Sequence, residues 1–127
     1  KNNGYTDTSM GRMLLEKASA NENYTSARDC SVFLKNIYEN KLEHSEDMLN
    51  LLKQQTRTEK IPKGIPSGVE TANKTGELDH VENDAAIVFD GENPYIICVM
   101  ADNLSDTTEA RQRIVDISSV VYEKISK

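Results

Sequence analysis

The chain has 127 residues, enough for one domain, or part of one, with a core of its own. Its formal net charge of −6 and a pI near 4.9 argue against nucleic-acid binding, which needs basic patches. No apolar run nears the roughly 20 residues of a membrane span, and the polar start Lys1-Asn2-Asn3-Gly4-Tyr5 cannot be a signal peptide.

Residues 1–25 are polar and read as loop with a turn of helix, carrying one apolar patch at Met10, Met13, Leu14 and Leu15. Ser26-Ala27-Arg28-Asp29 is a helix start, with an N-cap hydroxyl and an acid in the first turn. Cys30, Phe33, Leu34 and Ile37 follow at helical spacing as the buried stripe, and residues 38–41 end the helix. Ser45-Glu46-Asp47 opens a second helix whose apolar face is Met48, Leu51 and Leu52. Lys60 to Gly68 holds two prolines and two glycines, so it is expected to be a linker rather than an element interior.

Three strands follow, at Val69 to Leu78, Ala85 to Asp90 and Tyr95 to Ala101. Asp90-Gly91-Glu92-Asn93-Pro94 is a five-residue hairpin loop, so the strands form an antiparallel meander. Ala85–Phe89 and Ile96–Met100 are apolar without alternation, which implies helices above and below the sheet. A last helix begins near Ser105 as N-cap and buries Ile114, Ile117, Val121 and Ile125. The layout is α+β: two helices, a three-stranded antiparallel meander and a C-terminal helix.

Cys30 and Cys98 are too few for a disulfide framework or a metal site and are expected to be free, buried thiols. His44 and His80 lack metal-ligand spacing and are expected to be solvated. No metal or cofactor is expected.

The chemistry-bearing residues are Asn73-Lys74-Thr75-Gly76-Glu77 on the first strand. They put an ammonium, a hydroxyl and a bare stretch of backbone beside a cleft, and Gly76 lets a ligand lie flat against the strand. The Lys-Thr-Gly triplet occurs in serine acyl-transfer enzymes that recognise penicillins. With the order of elements, with Thr6-Asp7-Thr8 and Asn23 to Asp29 leading into a helix, with Asn83-Asp84-Ala85-Ala86-Ile87-Val88 opening a strand, and with Arg111 near the start of the last helix, the chain resembles the C-terminal part of a class A β-lactamase-like serine hydrolase.

The resemblance covers nearly all of residues 1–127. It makes them the C-terminal part of one β-lactamase-like α/β domain, with 1–60 the helical portion and 69–127 the sheet and closing helix. It implies acyl transfer: a serine attacks a β-lactam or a peptidoglycan-like amide, and water releases the acyl-enzyme. Lys74 then sets the electrostatics near the nucleophile, and Thr75 hydrogen-bonds the substrate carboxylate. Gly76 leaves room for the substrate, and the backbone N–H of Glu77 donates to the oxyanion. Arg111 is either a second cation for the carboxylate or a solvated helix arginine.

The departures matter as much. The chain has no Ser-x-x-Lys, no Ser-Asp-Asn and no Glu-x-x-Leu-Asn. The resemblance places the first two upstream of Lys1, so the chain alone is expected to be inactive, and the missing glutamate implies poor deacylation by the parent. That bears directly on antibiotic resistance, which needs deacylation as well as penicillin recognition. The family's N-terminal segment adds strands beside the last strand here, so in its absence Tyr95 to Ala101 is an open edge expected to form a homodimer. The resemblance also implies a bacterial protein exported to the cell surface or beyond. A different class of function remains open at this point: a non-catalytic binding or interaction module that reuses the half-fold.

Overall fold

A computed structural model describes residues 4–13, 16–17 and 22–126. Helices α1 (Ala27–Tyr38) and α2 (Ser45–Lys53) are followed by a short 3-10 turn at Ile61–Gly64. Strands β1 (Glu70–Leu78), β2 (Val81–Phe89) and β3 (Tyr95–Ala101) then form an antiparallel sheet in that order, and α3 (Thr107–Ile125) closes the chain. The α+β layout read from the sequence is the layout observed.

Antiparallel register explains the unbroken apolar runs. Ala72 lies opposite Ile87, Ala85 opposite Cys98 and Ala86 opposite Ile97. Because side chains alternate between faces, Ala72, Ala85 and Ile87 point to one side and pack with Leu34 of α1 and Leu49 and Leu52 of α2. Ala86, Val88 and Ile97 point to the other side and meet Ile61, Ile65 and Ile114. The sheet is thus covered on both faces.

Ser26 caps α1 as expected, its Oγ accepting from the Asp29 backbone N–H at 3.1 Å. In the expected stripe Leu34 and Ile37 are buried and Cys30 is half-buried, whereas Phe33 is exposed and meets Tyr5 edge-on. In α2 the inward residues are Leu49 and Leu52, while Leu51 is 69 % exposed. His44 precedes α2 in the left-handed conformation, with φ 61°. Between residues 4 and 25 the described residues form no helix but a loop that doubles back through a Ser9–Tyr24 bridge. Met10 and Met13 are exposed there, and Leu14 and Leu15 lie outside the described residues.

The segment expected to be a linker is part of the core. Lys60 and Ile61 are fully buried, Ile65 nearly so, and the turn they frame packs on α3. A Cβ on Gly64 would collide with the Val115 carbonyl oxygen and lie 2.8 Å from Ser118 Cβ, so only glycine allows this approach. Ser118, itself buried, donates to the Ile61 carbonyl at 2.8 Å. That contact turns α3 so that Ala110, Ile114 and Ser118 face inward, Val121 is half-buried, and Ile117 and Ile125 are exposed. The N-cap of α3 is Asp106 rather than Ser105, its Oδ1 accepting from Thr108 N–H at 2.8 Å and Glu109 N–H at 3.0 Å.

β2 begins at Val81, four residues before the expected start at Ala85. Asp79 and His80 make a two-residue turn with His80 at φ 62°, and His80 Nδ1 lies 2.7 Å from the Leu104 carbonyl oxygen. Asn83 and Asp84 open the strand as the resemblance implied, and Glu82 before them also pairs with β1. No helix among the described residues is long and apolar enough to cross a membrane.

Candidate functional site

Among the described residues β1 is an end strand, bonded to β2 along one edge only. The two-residue turn makes Leu78 and Val81 a hydrogen-bonded pair, and antiparallel pairs alternate from there. Gly76–Asn83 and Lys74–Ala85 are therefore bonded pairs too. Thr75 and Glu77 lie in the intervening pairs, so their backbone N–H and C=O groups point off the free edge. The Glu77 N–H is in this way directed outward by the turn geometry, the orientation an oxyanion donor needs.

Side chains on β1 divide by the same alternation. Lys74 and Gly76 share the α1/α2 face with Ala72. Lys74 is exposed and its Nζ donates to the Thr75 carbonyl. Beside them is an open groove of about 730 Å³, walled chiefly by Phe33, Leu34 and Ile37 of α1 and Met48, Leu51 and Leu52 of α2. Lys74, Thr75 and Gly76 form its other wall. A Cβ on Gly76 would meet Asn83 at 3.6 Å, an ordinary contact, so glycine here leaves the wall bare rather than relieving a clash.

Asn73, Thr75 and Glu77 turn to the opposite face, and Thr75 is only 5 % exposed. That face holds a buried charged layer. Lys60 Nζ lies 2.7 Å from Glu82 Oε2 and 3.3 Å from Glu77 Oε1, and donates to the Asn83 carbonyl at 3.0 Å. Arg111 Nε donates to Glu82 Oε1 at 2.7 Å, with Nη2 2.7 Å from the same oxygen and 3.9 Å from Glu77. Arg57 reaches Glu77 at 3.3 Å. Asp84 accepts from Ile61 N–H at 2.9 Å and from Asn73 Nδ2 at 3.2 Å.

The electrostatics follow from these contacts. Burial alone raises the Glu82 carboxyl, but the bonds from Arg111 and Lys60 outweigh it and hold it below the ordinary range. Asp84 goes the other way: burial raises it more than Asn73 and the Ile61 N–H lower it. Arg111 is raised further by its bond to Glu82.

The structure therefore brings Lys74, Thr75, Gly76 and the Glu77 N–H together along one edge. Arg111 adjoins the same strand from the other face, with its charge engaged by Glu82. Sequence reasoning missed the layer formed by Lys60, Asn73, Glu82 and Asp84. The signal was alternation: once Asp79-His80 is the turn, Glu82 and Asp84 fall opposite Glu77 and Thr75. Among the described residues no cluster of His, Cys, Asp and Glu is grouped to hold a metal ion.

The family model described as the β-lactamase enzyme family matches residues 1–125. A solved β-lactamase from Sphaerobacter thermophilus is 23% identical and superposes with a TM-score of 0.88, over 98% of this chain and 50% of that one. A structure of PBP-A is 26% identical with a TM-score of 0.73, over 82% of this chain and 41% of that one. The chromosome-encoded β-lactamase of Vibrio parahaemolyticus is 18% identical with a TM-score of 0.80, over 97% and 51%. No curated protein matches. The chain spans half or less of the first two of these structures and 51% of the third. With the Lys-Thr-Gly strand at the edge of a sheet of this fold and the family model covering almost every residue, the chain belongs to the β-lactamase enzyme family.

Proposed function

We propose that this chain is the C-terminal part of a serine hydrolase that acts on β-lactams or peptidoglycan-like amides through an acyl-enzyme, its nucleophile lying on the half of the fold that this chain lacks. The observation that carries the reading is the free edge of β1, where Lys74, Thr75 and Gly76 wall an open groove and the Glu77 N–H points outward. In this reading the Lys74 ammonium stabilises charge developing near the nucleophile and holds the substrate carboxylate. The Thr75 hydroxyl joins it only after turning from the opposite face, where Thr75 is 5 % exposed. Gly76 lets the acyl chain lie along the strand, and Glu77 N–H donates to the oxyanion. Support for the substrate class comes from a mutant of PBP-A, solved as an acyl-enzyme with penicillin G and 26% identical to this chain.

Arg111 enters this reading as a second cation for the carboxylate only after exchanging Glu82 for substrate. By itself the chain is inactive, because without a nucleophile there is no covalent path. Its uncovered β3 edge pairs with a second copy. In this reading the parent works at the cell surface of a bacterium or outside it.

The test is to read the coding sequence in frame with this chain. Ser-x-x-Lys followed by Ser-Asp-Asn ahead of residue 1 is the expected result. Unrelated sequence or a bare signal peptide joined there overturns the reading and leaves a binding module.

A further inference from the structure

Cys30 and Cys98 are both free, half-buried thiols. They are far apart in sequence but pack against the same apolar cluster of Leu34, Ala72, Ala85 and Ile87, between α1 and the sheet. Cys98 lies opposite Ala85, a member of that cluster, and α1 packs on β3. Cys30 also lines the open groove, so a reagent in solvent reaches it. The Cys98 thiol is pushed up to about 12, chiefly by burial.

We propose that Cys30 and Cys98 are a redox-modification site, closing an intramolecular disulfide that ties α1 to β3 beneath the groove. The oxidant is a small-molecule or protein disulfide. The Cys30 thiolate attacks one sulfur of that disulfide, forming a mixed disulfide and expelling one thiolate. Cys98 then releases its proton to solvent and its thiolate attacks Cys30 Sγ, expelling the second thiolate. Two thiols lose two protons and two electrons, and the oxidant takes up both electrons. The high Cys98 pKa makes the second step the slow one, so the mixed disulfide on Cys30 precedes closure. The bond closes a long loop of the unfolded chain and is expected to raise Tm by roughly 10 °C.

The test treats the 127-residue chain with oxidised glutathione, in buffer and in concentrated urea, and follows intact mass and titratable thiols. In buffer the expected product is a chain two hydrogens lighter by intact mass, with no free thiol and no covalent link to a second chain, reached through a single glutathione adduct, its raised Tm reversed by reductant. In urea, adducts on both cysteines are expected to accumulate, because nothing holds the sulfurs together. Cys98→Ser is expected to stop at the adduct on Cys30. Two persistent free thiols, a cross-link between chains, or the same products in buffer as in urea would each overturn the proposal.

Discussion

Lys60 Nζ lies 2.7 Å from Glu82 Oε2, with both side chains 1 % exposed. A buried pair of this kind is weak evidence for stability as a pair, but removing one partner strands the other in a poor solvent. The pair sits directly behind Glu77, whose N–H faces the free edge, and so fixes the strand from the side opposite Lys74 and Gly76.

Glu82→Gln keeps the side chain's shape but takes away the buried carboxylate, leaving Lys60 only Glu77 at 3.3 Å, with an expected loss of about 3 kcal/mol at neutral pH. The native carboxyl is held below its reference value of 4.5, so its contribution is present above that value and is lost as pH falls through the native one. Urea unfolding of both proteins from neutral pH into acid is expected to show the gap narrowing below about pH 4.5. A gap independent of pH would contradict the assignment.

The two glycines at 64 and 76 are expected to respond in opposite ways. Gly64→Ala drives a methyl into the Val115 carbonyl oxygen and to 2.8 Å from Ser118 Cβ, and is expected to destabilise by more than about 2 kcal/mol. Gly76→Ala meets only Asn83, at 3.6 Å, and is expected to shift stability by less than about 1 kcal/mol. Thermal unfolding of the two variants settles the contrast. Equal losses would place Gly76 in a structural role.

Much of the fold was legible because local signals agreed with packing. Ser26 and Asp29 marked the start of α1, and Gly91 and Pro94 marked the β2–β3 loop. Continuous apolar runs announced a sheet covered on both faces. What was illegible depended on long-range partners. Lys60 and Ile61 sit in a Pro/Gly-rich stretch that reads as linker, and only Glu82 and α3 bury them. Ser118 is buried on α3 because the distant Ile61 carbonyl supplies its acceptor. The Lys-Thr-Gly edge was readable as a motif, whereas the charged layer behind it required the β1–β2 register.

At the other side of the sheet, β3 pairs with no strand beyond β2 among the described residues, and Ile117 and Val120 of α3 are 45 % and 56 % exposed. Pairing through this edge is expected to make the isolated chain a concentration-dependent dimer. Multi-angle light scattering over a dilution series checks this, and a monomer at every concentration would argue against it.

Removing the α1 cap is a smaller, local perturbation. Ser26→Ala deletes the bond to Asp29 N–H and also one from Ser26 Oγ to Asp7 Oδ2 at 2.9 Å. The expected loss is about 1 kcal/mol, read by urea unfolding. No change would mean that the 4–13 loop and the helix start are energetically independent.

The most direct test of the central claim is covalent labelling by a fluorescent penicillin of the longest polypeptide encoded in frame with this chain. Wild type is expected to label, Lys74→Ala to label about 10²-fold more slowly or worse, and Gly76→Val to fold but label poorly. A wild type that never labels, or a Lys74→Ala variant that labels at the wild-type rate, would contradict the assignment of this strand to an acyl-transfer site.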